Sequence, residues 1–153
     1  MTEQRETAED LFTTRIGQAV MLLHGGDREE ARNRFAALWS EIGDGGDPLH
    51  RCTLAHYLAD TQDDPADELA WDLRALTAAH ALPDAQAVRA FYPSLHLSLA
   101  ADYVKLRRPA AARDHLERAR AASAVLADDG TDDGYGGGVR AEIDRLERRL
   151  RAW

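Results

Sequence analysis

Cysteine is almost missing from this sequence: Cys52 stands alone among 153 residues. No disulfide can form within the chain, and a reducing compartment suits it. Lysine is as scarce, with Lys105 the only one, so arginine carries nearly all the positive charge. There is no basic excess either. The formal net charge is −8, which argues against nonspecific nucleic-acid binding. No apolar run approaches the ~20 residues that span a bilayer. The opening MTEQRETAED is polar and acidic, the reverse of a signal peptide's basic start and apolar core. The expectation is a cytoplasmic protein that engages neither nucleic acid nor membrane.

The usual catalytic motifs are missing too. There is no HExxH and no CxxC, and Ser94, Ser98 and Ser123 lack the setting of a nucleophile elbow. His96 follows Ser94 by two residues, so on a helix the two side chains diverge. The stretch DDGTDDGYGGG has calcium-like oxygens but not the alternating acids and closing Glu of an EF-hand. Its GYGGG part is followed by no Lys-Ser/Thr pair, so it is no phosphate loop. A non-enzymatic protein without a cofactor is expected.

What the sequence does contain favours helices. Ala, Leu and Arg lose little on entering one, and no segment alternates with period two. Apolar residues at helical spacing (Leu11, Phe12, Ile16, Ala19, Val20, Leu23) mark a first helix ended by Gly25-Gly26. Asp27 and Glu30 form a capping-box pattern for a second, which carries Ala31, Phe35 and Leu38 and ends at GDGGD. Asp47-Pro48 and Asp64-Pro65 pair an N-cap with a first-turn proline and open a third and a fourth. Pro83-Asp84 opens a fifth, with the stripe Val88, Tyr92, Leu95, Leu99, Tyr103. Pro93 falls inside it and predicts a kink or break near residues 89 to 92. Pro109 opens a sixth. Residues 128–138 read as a flexible loop, and Val139, Ile143, Leu146, Leu150 and Trp153 line one face of a last helix.

Six helices in pairs suggest a repeat architecture. Ala19, Leu22, Gly26, Ala31 and Phe35 fall at the intervals of the tetratricopeptide repeat, with Leu38 where a small residue is usual. Ala100, Tyr103, Ala112, Leu116 and Ala119 repeat those intervals, and Arg107 stands at the glycine position, which predicts a looser turn there. In the middle pair Ala55, Leu58 and Trp71 fit, but Asp67 replaces the expected alanine and DDP replaces the glycine turn. The chain thus resembles an all-α tetratricopeptide-like domain. Its repeats would span 8–43, 47–82 (the most divergent) and 84–127, before the 128–138 loop and a cap helix at 139–153.

The resemblance implies a short right-handed superhelix whose concave groove is lined by the first helix of each pair. It would place Thr13, Ile16, Val20 and His24 there from the first pair, Cys52, His56 and Asp60 from the second, and Leu97, Ala101 and Lys105 from the third. The implied function is a scaffold or adaptor for a peptide or protein segment, acting as a monomer or weak homodimer. The acidic run Asp60, Asp63, Asp64, Asp67, Glu68 and Asp72 contains no basic residue. It reads as helix caps and first-turn carboxylates, or as a dock for an Arg/Lys-rich partner. The alternative is a ligand- or metal-sensing module, or an enzyme accessory subunit, built on His24, Cys52 and His56, with His50 nearby.

Overall fold

The computed structural model describes the backbone of residues 2–82, 85–128 and 135–153, with side chains for 11–82, 89–126 and 138–153. Seven helices account for nearly all of this: α1 (Thr2–His24), α2 (Arg28–Ile42), α3 (Pro48–Asp60), α4 (Pro65–His80), α5 (Ala85–Lys105), α6 (Pro109–Asp128) and α7 (Tyr135–Arg151). The described residues contain no strand. Each helix packs on the next, and α7 lies against both α6 and α5.

The starts follow the sequence signals. Asp27, Asp47 and Asp64 accept hydrogen bonds from the backbone N–H groups of Glu30 (3.4 Å), Leu49 (2.9 Å) and Ala66 (2.8 Å), filling donors that the first turn leaves open. The capping box at Asp27 is only half made. Glu30 turns instead to Arg34 at 3.1 Å, because the Asp27 N–H is already spent on the Leu22 carbonyl at 2.9 Å.

Two turns share one pattern. After α1, the N–H groups of Gly25, Gly26 and Asp27 reach the carbonyls of Met21, Leu23 and Leu22. After α5, those of Leu106, Arg107 and Arg108 reach Asp102, Val104 and Tyr103 in the same order. Both are helix ends closed by a left-handed residue, with Gly26 at φ +91° and Arg107 at φ +58°. The expected looser turn at Arg107 is therefore corrected: arginine adopts the conformation that glycine adopts in the first pair. The middle pair turns differently. Thr61 ends α3 in a right-handed conformation, and its hydroxyl donates to the Leu58 carbonyl at 2.7 Å.

Two other expectations are corrected. Helix α5 runs unbroken through Pro93. The proline forfeits one backbone bond, but Pro93 itself is buried, as are Leu95 and Leu99 beyond it, and that packing keeps the helix continuous. Helix α7 begins at Tyr135, so residues 135–138 are helical where a loop was expected. Its three glycines sit in the opening turn, where N–H groups lack intrahelical partners in any case. Pro83-Asp84 and 129–134 lie outside the described residues.

The core forms three apolar clusters, each joining a pair to the helix that follows. Ile16, Ala19, Ala31, Phe35 and Leu54 unite α1, α2 and α3. Cys52, Ala55, Ala75, Ala79 and Leu95 unite α3, α4 and α5, and Ala100, Ala112, Leu116, Ala119 and Ile143 unite α5, α6 and α7. The alanines let backbones approach closely. Phe35 then fills the space between the first pair and the second, stacked on Tyr57 with ring centroids 5.4 Å apart. Full burial of such a ring contributes about 2–3 kcal/mol.

Candidate functional site

The residues expected to line a groove do not share one fate. Ile16 and Cys52 are sealed in the core, at 7% and 1% exposure, and as packed present no surface to a partner. Val20, His56, Leu97 and Ala101 are half-buried, and Thr13, His24, Asp60 and Lys105 are exposed. The residues of the metal-sensing alternative separate. His24 faces solvent, His50 packs on Phe12 with centroids 4.9 Å apart, and Cys52 sits among alanines. Burial pushes the Cys52 thiol up to about 11, so it is a poor source of thiolate. No three His, Cys, Asp or Glu side chains among the described residues are arranged to hold a metal ion.

The acidic run is largely engaged from within. Asp63 pairs with Arg28, and at 3.7 Å with Arg32, both from α2. The Arg28 guanidinium holds the Asp63 carboxyl below its usual range. Asp64 caps α4, and Glu68 meets Lys105 of α5 at 2.7 Å. Asp72 is buried, and Asp60 and Asp67 are the exposed acids that no cap or ion pair engages among the described residues. The basic partners that the run lacks locally are thus supplied by neighbouring helices.

Asp72 belongs to a different feature. It is 2% exposed on α4 and faces Asp102, also 2% exposed, on α5. Among the described residues, Asp72 Oδ1, Asp102 Oδ2 and His56 Nδ1 are buried and meet no N–H or O–H donor as the carboxylates stand ionised. His56 Nδ1 lies 3.7 Å from Asp72 Oδ1, too far for a direct hydrogen bond. A proton kept on Asp102 reconciles this, since the carboxyl then donates to the Asp72 carboxylate. Desolvation, then the hydrogen bond and charge of Asp72, raise Asp102 to about 10. Desolvation raises Asp72 to about 7, opposed by the bond from Asp102. The pair joins α4 to α5 beneath the Lys105–Glu68 ion pair.

A second polar contact links α5 to α6. His96 Nδ1 and His115 Nδ1 are 3.1 Å apart, one donating and the other accepting, and His115 is stacked on Tyr103. The accepting ring must be neutral to do this. Desolvation, then the charge of His115, pushes His96 down to about 4, and desolvation also lowers His115.

Sequence reasoning missed Asp102, His115 and the two faces of α7. Between α5 and α7 lies an open crevice of about 370 Å³, lined by Leu97, Ser98 and Ala101 on one side and Glu142, Arg145, Leu146 and Arg149 on the other. The four α7 residues recur at the spacing of one helix face, a signal available from sequence once α7 is docked on α5. A second crevice, of about 220 Å³, lies between α6 and α7, where Arg120 pairs with Asp144 and Glu147. No helix of the described residues is long and apolar enough to cross a membrane. Compared with protein-family models, with curated proteins and with solved structures, the chain finds no match.

Proposed function

We propose that this protein is a tetratricopeptide-like helical scaffold that binds a peptide or protein segment, with the α5/α7 crevice as the docking site. Two features support the repeat. The turns after α1 and α5 use the same three backbone bonds and the same left-handed residue. The small positions Ala19, Ala31, Ala100, Ala112 and Ala119 are all fully buried, as close helix approach requires. The middle pair supports it least, since Asp67, at an expected alanine position, is exposed.

The observation that carries the binding role is the crevice itself. Leu97 and Ala101, both groove positions by the resemblance, stand beside an open apolar floor completed by Leu146 of α7. A few convergent polar groups around such a floor suit recognition of a side-chain anchor. Panning a random peptide library against the full chain tests this. A shared motif should emerge whose binding is lost when Ala101→Trp fills the crevice. Enrichment of no motif, or of motifs indifferent to that substitution, refutes the reading. The protein acts as a monomer or weak homodimer, which light scattering measures.

A further inference from the structure

Resting on the groove reading above, we infer that the segment docking between α5 and α7 is acidic, presenting carboxylates to Arg145 and Arg149 around an apolar anchor. The argument is one of charges already used and charges left over. Along α7 the acids lean away from α5: Asp144 and Glu147 are bound by Arg120 of α6, and Glu147 also by Arg151. On the crevice side the one acid is Glu142. It is paired with Arg145 only as an exposed neighbour three residues away. Arg148 and Arg149 have no ion-pair partner among the described residues. The rim facing Leu97 and Ala101 therefore carries the unspent charge of Arg149 over an apolar floor, beside an Arg145 held only by the exposed Glu142.

The acidic run, the rival dock for a basic segment, is mostly in the opposite condition, with Asp60 and Asp67 the acids that no ion pair or cap engages among the described residues. Arg28, Arg32 and Lys105 already neutralise Asp63 and Glu68, and Asp72 is out of reach. The net charge of −8 does not disfavour an acidic ligand at short range. Physiological salt screens exposed charges beyond about 8 Å, so the arginines in the crevice dominate there. Guanidinium groups one turn apart also suit paired carboxylates, which they bind through a planar fork of donors.

The test uses the full chain and three fluorescent peptides of about 12 residues, each with a central leucine, flanked by Glu, Gln or Lys. Anisotropy should show the Glu peptide binding about tenfold tighter than the Gln peptide, an advantage erased at about 1 M salt. The double substitution Arg145→Gln, Arg149→Gln should remove that advantage and leave the Gln peptide unaffected. Ala101→Trp should abolish binding of both. Ser98→Tyr, at the rim, replaces it if a lowered melting temperature shows that tryptophan disturbs the fold.

If the Lys peptide binds as well as the Glu peptide, or the arginine substitutions change nothing, the acidic inference is overturned. The groove reading then still stands, provided that binding of the Gln peptide is lost on filling the crevice. If no peptide binds, or filling the crevice leaves binding intact, the groove reading falls and takes this inference with it.

Discussion

Replacing Arg107 by glycine should make this protein more stable, although it deletes a long charged side chain. Arg107 holds φ at +58° and is the one non-glycine residue with positive φ among those described. An L-residue in that region suffers a clash between Cβ and carbonyl oxygen costing about 1–2 kcal/mol. Nothing offsets this locally: the side chain is exposed and forms no ion pair or hydrogen bond among the described residues. Its N–H does donate to the Val104 carbonyl at 3.1 Å, and glycine keeps that bond. Against the relief stands the extra freedom that glycine gives the unfolded chain, about 0.5–1 kcal/mol. The net gain is about 0.5–1 kcal/mol, or a rise of about 2–3 °C in melting temperature for a chain of this length.

Urea denaturation reads this cleanly, because a native-state effect moves the midpoint and leaves the slope unchanged. Arg107→Ala is the control, since alanine keeps the Cβ and should differ from wild type by less than about 0.5 kcal/mol. The mirror experiment is Gly26→Ala. Gly26 sits at φ +91° with open space where a Cβ would go, so the loss of about 1 kcal/mol would be purely conformational. If Arg107→Gly is no more stable than Arg107→Ala, the left-handed turn is not the strained element described above. The equivalence of the two turns then loses its energetic content.

Phe35→Ala should cost about 3–5 kcal/mol, because it empties a fully buried site and unstacks Tyr57; a melting temperature within a few degrees of wild type would contradict the role given to Phe35. Asp102→Asn tests the shared proton. Folding raises the pKa of both Asp72 and Asp102, so their contribution is complete below about pH 4 and fades as pH rises through about 7 and on towards 10. The asparagine cannot ionise yet still donates to Asp72, so it should flatten the alkaline loss of stability, with His56, Glu68 and Lys105 around the pair unchanged. A pH–stability curve parallel to wild type above pH 7 would refute it. His96→Phe should act on the other limb: folding lowers the His96 pKa to about 4, so its contribution is present above about 6.5 and lost as pH falls towards 4. Melting curves of the variant between those values should be less pH-dependent, and an unchanged slope would count against a neutral buried ring.

Much of the fold was legible because its punctuation is local. Asp27, Asp47 and Asp64 announce helix starts through side chains that reach only two or three residues ahead, and the alanines that meet between helices recur at fixed intervals. Where the reading went astray, a long-range term overrode a local preference. Pro93 is kept within a continuous helix by its burial, and Arg107 is driven left-handed by the turn that α6 must make to return against α5. Local propensity alone predicts neither.

The candidate sites were less legible for a related reason: each depends on which partner a side chain meets. In sequence, the stretch from Asp60 to Asp72 is an acidic run without a basic residue, and α7 is an arginine-rich solvent face. Packing reverses their prospects. Arg28 and Arg32 from α2 and Lys105 from α5 reach into the acidic run, while Arg120 from α6 binds the acids on one flank of α7 and leaves Arg145 and Arg149 exposed on the other. The middle pair, least regular in sequence, is where the fold hides its charges, with Asp72 and Asp102 sharing a proton between α4 and α5. A binding role for an exposed charge therefore follows from what its neighbours leave unpaired, and by that criterion Arg149 on the crevice rim outranks Asp63 and Glu68 of the acidic run.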